Sequence, residues 1–411
     1  MANETKALLD EKTIQTIKST VPVLEEHGEK ITSRFYQLLF ENNPDLKNIF
    51  NQTNQRMGKQ PQALANAVYA AALYIDNLEA ILPVVKQIAH KHRSLNIKPE
   101  HYPIVGENLL TAMKDVLGDA ANEEIITAWG KAYGVIADAF IQVEADMYEE
   151  TENKDGGWIG YRDFEVANKV KESDVITSFY LKPVDGGKIP TFKPGQYLTV
   201  KIDRDDAEYT CLRQYSLSCG PNKGHYRISV KREDSMSDKP AGVVSTYLHQ
   251  SVNVGDILPI SAPAGDFVLE EDTRPLVLIS GGVGLTPLTS MLETVIESQP
   301  SREVYFLHAA QNGSVHGLKD SLKEATDNNK QVHSYVVYEH PSESDKTEAL
   351  FAKEGYIDLD FIKSVIPTND ASFYFCGPEG FMKAINRSLK EWNVAESDIH
   401  FEFFGPAGSL D

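Results

Sequence analysis

Two histidines, His90 and His92, fall within LPVVKQIAHKHRS, a segment whose Pro83 suits the first turn of a helix. At helical spacing His92 follows Ile88 and Val85 onto the apolar face, while His90 falls near Lys86 and Gln87 on the polar face. A single histidine on an apolar face is most often a satisfied core residue. The same placement also suits axial ligation of a haem iron, which takes a neutral imidazole projecting into an apolar pocket. A ligand imidazole commonly donates its second ring N–H to a carboxylate, which fixes the tautomer. Glu144 lies beside the stripe Trp129, Tyr133, Ile136, Phe140 and Val143, so it is either such a partner or a half-exposed helix residue. A carboxylate buried there is costly unless it is paired, and Tyr102, next to Pro103, offers a further hydroxyl. In RFYQLLF, Tyr36 has Phe35 and Phe40 nearby, and Gln60 and Leu64 flank the helix start at Pro61. Tyr36 and Gln60 are the polar atoms that would face a bound diatomic ligand, although a core tyrosine is commonplace.

Two further constellations lie downstream. PGQY (Pro194 to Tyr197) precedes RQYS, which contains Arg213, Gln214, Tyr215 and Ser216. An aromatic ring can stack on an isoalloxazine, a Ser hydroxyl can reach its N5 region and an Arg can hold a flavin phosphate. The same residue types in a strand also serve as surface and packing residues. AGVVSTYLH adds Gly242, Val244 and Ser245 at a helix start, where backbone N–H groups and hydroxyls through Thr246 would seat a pyrophosphate. In ISGGVGLTP, the run Gly281, Gly282, Val283, Gly284, Leu285, Thr286 and Pro287 contains G-x-G-x-x-P between a predicted strand and a predicted helix. Dinucleotide phosphates meet backbone N–H groups at such places, though a glycine loop alone can be only a tight turn. A 2′-phosphate usually requires an Arg at the end of the next strand, and FLHAAQNGSVH has none before His316, which favours NADH over NADPH.

Three rhythms position these residues. From about Asp10 to Glu150 apolar residues recur at helical spacing, with breaks at Pro44, Pro61, Pro83, Pro99 and Pro103. TENKDGGWIG, residues 151–160, reads as a linker. From Tyr161 to about residue 268, VITSFYLKPV, GQYLTVKI, CLRQYSLS, YRISVKRE and GDILPIS alternate between turn residues, as in a small antiparallel barrel. Over residues 269–411 strands and helices alternate, the mark of a doubly wound parallel sheet. The chain is therefore expected to be multidomain: all-α, then antiparallel β-barrel, then α/β. A length of 411 residues allows about two or three domains.

The 40 basic and 60 acidic residues leave a net charge of −20, which argues against nucleic acid or an anionic membrane surface as partner. The plain reading of that charge is solubility. The opening MANETKALLDEKT does not read as a secretion signal, and no apolar run is long enough to span a bilayer. Three cysteines, Cys211, Cys219 and Cys376, fit free thiols in a reducing cytoplasm.

RFYQLLF, NIFNQTNQ, QIAHKHRS, IKPEHYPIVGENLL and AWGKAYGV together resemble the globin domain of bacterial flavohaemoglobins over essentially all of residues 9–150. The resemblance implies haem b with His92 as proximal ligand, and Tyr102 and Glu144 as its hydrogen-bonded partners. It implies Tyr36 and Gln60 as the distal pair, Phe50 as a ring packed on the haem, and Lys91 as a basic residue near the flavin-facing edge. RQYS, VKRED and AGVVSTYLH resemble the FAD domain of the ferredoxin-NADP reductase superfamily. CGPEGF, with Cys376, Gly377 and Pro378, stands where that superfamily lines its nicotinamide pocket. IHFEFFGP resembles the terminal strand beside the flavin, so Glu402, Phe403, Phe404, Gly405 and Pro406 would flank the ring. Relatives often carry Ala or Gln at Gly281 or Leu285, and Cys at Phe403, which leaves the packing against the ring more open than its location.

The implied activity is nitric oxide dioxygenation: NAD(P)H reduces FAD, FAD reduces haem, and O2 with nitric oxide yields nitrate, a detoxification under nitrosative stress. A monomeric cytoplasmic enzyme with O2, NO and NAD(P)H as its small-molecule partners is expected. Three alternatives stay open from the residues: an O2 or NO sensor, an NAD(P)H-dependent flavin or quinone reductase with a passive globin, and hydroperoxide or lipid chemistry in the haem pocket.

Overall fold

Three of the prolines that interrupt the helical rhythm prove to begin helices, the position where a missing N–H costs nothing. In the computed structural model, which describes residues 9–50, 55, 58–204, 207–235, 240–405 and 410, the chain gathers into two compact units. The first is helical: α1 (Glu11–Ser19), α2 (Val21–Asn42), α3 (Lys59–Leu73), α4 (Leu82–Ser94), α5 (His101–Leu117) and α6 (Glu123–Asn153). Pro61, Pro83 and Pro103 lie in the first turns of α3, α4 and α5. Asp10 caps α1 through the Thr13 N–H at 2.8 Å, and Asn122 caps α6 through Ile125 at 2.9 Å. The core takes Ile17, Ile31, Phe35, Leu39 and Trp129, whose indole donates to Thr20 Oγ1 at 3.3 Å. Helix α6 runs to Asn153, so it enters the stretch read as a linker, and Thr151 there is buried.

The second unit carries two sheets. The first is formed by β1 (Tyr161–Lys171), β2 (Ile176–Pro183), β3 (Tyr197–Ile202), β4 (Cys211–Ser216), β5 (Tyr226–Lys231) and β6 (Ile257–Ser261), in the order β4-β3-β6-β1-β2-β5. β1 pairs antiparallel with β2 and β6, β2 with β5, and β3 with β6. Just past β4, Leu217 bridges Ile228 of β5, which joins the two end strands and closes the barrel. A single helix of the barrel region, α7 (Val243–Gln250), packs by Val244 and Leu248.

The other sheet is wholly parallel. Its strands are β7 (Leu276–Gly281), β8 (Val304–Ala310), β9 (Val332–Tyr338), β10 (Phe351–Glu354), β11 (Ser372–Cys376) and β12 (Ile399–Glu402). The order is β10-β9-β8-β7-β11-β12, every neighbouring pair parallel. The chain winds outward from β7 to β10, then crosses back to β11, so the topological switch lies between β7 and β11. Helix α8 (Leu285–Ser298) follows β7 and is buried nearly all round its first two turns, from Leu285 to Leu292. That is the signature of a helix covered on every side. Among the described residues no helix is long and apolar enough to cross a membrane.

One long-range contact secures α7. The Lys169 ammonium of β1 donates to the carbonyls of His249 at 2.8 Å, Val252 at 2.7 Å and Leu248 at 3.3 Å. Those of Leu248 and His249 are carbonyls that a helix C-terminus leaves without intrahelical donors, and that of Val252 follows just past it. Replacing Lys169 by Met should cost about 2 kcal/mol, the worth of charge-assisted bonds lost to buried acceptors. The check is a lower urea midpoint for release of flavin fluorescence; an unchanged midpoint would show that water replaces the ammonium.

Candidate functional site

The proximal residues converge from three helices. Tyr133 of α6 lies on Gly106 of α5, where any Cβ would come within 2.5 Å of its ring. From that position its hydroxyl donates to the Tyr102 carbonyl at 2.6 Å and fixes the first turn of α5. The Tyr102 hydroxyl in turn donates to Glu144 Oε1 at 2.6 Å, and His92 Nδ1 lies 2.7 Å from the same oxygen. Burial first, then the Glu144 charge, raise the Tyr102 phenol well above its ordinary range, so it remains a donor. Glu144 is buried at 3% exposure, not half-exposed, and it is satisfied by these two partners. The shared proton belongs on His92 Nδ1, because an ionised carboxylate can only accept. The Tyr102 oxygen stands 3.2 Å from the same Nδ1 as a weaker second contact. No hydrogen bond among the described residues engages His92 Nε2, which leaves a neutral nitrogen available to a metal. This donor set fits a haem iron. His90, expected on the polar face, is instead half-buried with Nδ1 enclosed.

The distal residues also meet. Tyr36 is buried with Phe35, Phe40 and Phe50 around it at ring-centroid distances of 4.8, 5.9 and 5.7 Å. The carboxamides of Gln60 and Gln55 both approach its hydroxyl, and burial drives its ionisation far out of reach. Gln55 was not anticipated, since it belongs to no apolar stripe; its Nε2 is buried and finds no acceptor in hydrogen-bond geometry. Leu64 packs against the same core, and Lys91 is half-buried beside His92 in sequence.

In the barrel, Arg213, Gln214 and Tyr215 are half-buried along β4 and Ser216 is buried, while Tyr197 opens β3. Burial raises the Tyr215 phenol, against the smaller opposing effect of Arg213. At α7 the expected seat divides. Ser245 Oγ already accepts from Glu233 N at 3.2 Å and donates to Gly242 O at 3.3 Å, and Val244 belongs to the core. Thr246 Oγ1 is the hydroxyl left buried without a partner, in the first turn of a helix, and this fits a flavin pyrophosphate.

The glycine loop and CGPEGF are brought together backbone to backbone. Gly282 takes the left-handed φ of 54°, and a Cβ on Gly284 would stand 2.1 Å from the Cys376 carbonyl. Gly377 closes on Gly281 with its Cβ position 3.1 Å from the Gly281 Cα. Both loops thus leave the carboxyl ends of β7 and β11, at the switch point where open α/β sheets bind ligands. The same end carries Glu402 on β12, followed by half-buried Phe403 and exposed Phe404 and Gly405; Pro406 lies outside the described residues. Val283, Leu285, Thr286 and Pro287 form the turn into α8, the last three of them buried.

One buried pair there escaped sequence reading. His308 Nδ1 meets Ser280 Oγ at 2.8 Å, and its ring stacks on His316 at 4.2 Å. His316 Nδ1 meets the Tyr338 hydroxyl at 2.9 Å. Only the absence of any polar period around FLHAA hinted at a buried imidazole.

Residues 33–140 match the globin family, and residues 278–387 match the oxidoreductase NAD-binding domain family. The fold and sites therefore define a class: a globin joined in one chain to a nicotinamide-dependent reductase. The flavohemoprotein of Oceanobacillus iheyensis is 61% identical over 98% of this chain and 98% of its own. That of Bacillus subtilis is 54% identical over 98% and 99%. The chain belongs to the flavohemoprotein family. Among solved structures, a flavohemoglobin from Malassezia yamatoensis with bound FAD and heme aligns at a TM-score of 0.83, with 27% identity over 97% of this chain and 100% of that one. The FAD/NAD-binding domain of a nitric oxide dioxygenase from Vibrio cholerae aligns at 0.54, with 38% identity over 60% and 99%.

The stacked histidines make a pH prediction. Burial pushes His308 down to about 3 and His316 well below its ordinary value. An unfolded chain takes up protons near pH 6.5 that the folded pair refuses, so stability is full above pH 6.5 and falls as pH drops below it. The slope should be about 1.4 kcal/mol per pH unit for each histidine. His308→Phe should flatten the fall in urea midpoint between pH 6.5 and 4.5; equal slopes in parent and variant would contradict the assignment.

Proposed function

We propose that this flavohemoprotein is a nitric oxide dioxygenase, converting NO and O2 to nitrate with electrons drawn from NADH. As a member of its family the chain is an NAD(P)H-, FAD- and haem-dependent oxidoreductase. Bound FAD would exchange a hydride for single electrons, and a haem held by His92 would supply the iron for the chemistry of O2 and NO.

The observation that carries the reading is the Glu144 carboxylate 2.7 Å from His92 Nδ1. A carboxylate at that distance draws the Nδ1 proton towards itself and leaves Nε2 more electron-rich, which favours activation of bound O2 over its simple carriage. Tyr102 keeps the carboxylate oxygen aimed at the ring through its 2.6 Å bond. On the other side, the Tyr36 hydroxyl and the Gln60 and Gln55 amides stand together among aromatic and aliphatic side chains, suited to hold a small diatomic molecule. In the reductase unit, Thr246 and the α7 N-terminus would take the flavin pyrophosphate, and Arg213, Tyr215 and Ser216 its phosphate and ring. The glycine loop would take the nicotinamide dinucleotide. No Arg stands at the end of β8, at Ala310, Gln311 and Asn312, where a 2′-phosphate usually requires one, which supports NADH. The 38% identity to the reductase part of a Vibrio nitric oxide dioxygenase supports the same reaction class.

Two variants test this. His92→Ala should lose haem and abolish NADH- and O2-dependent NO consumption, while NADH still reduces ferricyanide through the flavin. NO consumption that survived would assign the activity to the flavin module. Glu144→Gln should keep its haem, read from the Soret absorbance, and lower NO turnover roughly 10- to 100-fold. Turnover equal to the parent would remove the proximal carboxylate from the mechanism.

A further inference from the structure

The closure of the barrel and the helix after the glycine loop meet at one buried ion pair. Ser218 N donates to Arg227 O at 2.8 Å beside the Leu217–Ile228 bridge, at the seam between β4 and β5. Here the Arg227 side chain is 8% exposed. Its guanidinium donates to the Ser218 carbonyl, to Ser218 Oγ at 3.2 Å and to Glu293 Oε1 at 2.9 Å. Glu293 belongs to α8, and its second oxygen accepts from Gly220 N at 2.8 Å. One turn further along α8, Glu297 pairs with Lys223 at 2.5 Å. Two carboxylates on one face of α8 therefore grip a single barrel loop, Ser218 to Lys223.

Elsewhere one backbone bond, from Asp174 N to the Ser314 carbonyl at 2.9 Å, joins the barrel to the parallel-sheet layer, and the apolar contacts between the two layers are without direction. Phe267 lies against Tyr374 at 5.8 Å, and Ile176 side-chain atoms fill the space beside Gly317. Such surfaces exclude water but tolerate sliding, and interfaces between modules of one chain move unless something directional fixes them. An ion pair with a buried guanidinium and both carboxylate oxygens engaged adds little net stability, yet it specifies one geometry.

We propose that Arg227 and Glu293 are positioning residues for hydride transfer. The strand holding RQYS ends two residues before Ser218, whose carbonyl Arg227 grips, and α8 begins at the glycine loop and carries Glu293 two turns on. The pair thus sets the distance and angle between the loop that would hold the nicotinamide and the strand that would hold the flavin. In the transfer a C–H bond of the dihydronicotinamide breaks and an N–H bond forms on the flavin. Both electrons travel with the hydrogen, so NADH is oxidised and the flavin reduced. That step needs near-attack geometry, and a displacement of about 1 Å is enough to slow it severely. The inference rests on the nicotinamide-to-flavin reading above.

The test is anaerobic stopped-flow mixing of the holoprotein with NADH, following flavin bleaching. The double variant Arg227→Leu/Glu293→Leu removes the latch without stranding a buried charge. It should retain FAD, bleach at a limiting rate lower by roughly tenfold or more, and keep its half-saturating NADH within about threefold of the parent. The long-wavelength absorbance of the nicotinamide–flavin complex should weaken, and Glu293→Asp should recover part of the rate. A limiting rate in the double variant within about twofold of the parent would overturn the proposal. So would a loss of rate that merely tracks lost FAD, the remaining holoprotein bleaching at the parental rate. Should the double variant not fold, Glu293→Gln is judged by the same rates. A parent that fails to bleach would overturn the nicotinamide-to-flavin reading itself, and this inference with it.

Discussion

Glu144 is a carboxylate withdrawn from water, and its place in the helical unit is tenable only because His92 and Tyr102 both reach one of its oxygens. An ionised carboxylate in such surroundings without partners would protonate or expel the helix that carries it. Three helices are consequently constrained together. α4 must present His92, α5 must present Tyr102 from its first turn, and α6 must bring Glu144 between them. Tyr133 and the missing side chain of Gly106 make the α5–α6 approach close enough. The same interaction favours a proton on Nδ1, and so leaves Nε2 as the nitrogen that would face a haem iron.

The reductase unit would meet a different demand, the presentation of backbone N–H groups to cofactor phosphates. It would do so at two helix starts. α7 presents its first turn with the Thr246 hydroxyl buried and unmatched, and α8 presents the glycine loop at the switch between β7 and β11. Gly284 allows that loop to rest on the Cys376 carbonyl, so the two loops form one surface. α8 then serves both sheets, with its apolar residues in the parallel-sheet core and its carboxylates on the barrel loop.

The architecture was largely legible in the sequence, because helical, alternating and βα rhythms are local properties. Prolines at 61, 83 and 103 were legible as boundaries, each read at a helix start and each found in a first turn. Strand β1 was less so, since the irregularity between Val166 and Asn168 disrupts its alternation. At the candidate site, His92, Tyr36, Gln60, Tyr102 and Glu144 were singled out from the sequence, and the structure brings them into two groups. Residues whose role depends on contacts distant in sequence left no local signal. Lys169 reaches carbonyls about eighty positions away, Arg227 finds Glu293, and His308 stacks on His316 from across a turn. Gln55 and Thr246 announce themselves only as enclosed polar atoms, a property of burial that no spacing rule reports.

The central claim is that one chain carries reducing equivalents from a nicotinamide to a haem on His92. It is tested most directly by an anaerobic absorption titration of the purified holoprotein with NADH. The account predicts bleaching of the flavin bands accompanied by a shift of the Soret band from its ferric to its ferrous position. Flavin that bleaches beside a Soret band that stays ferric would contradict it.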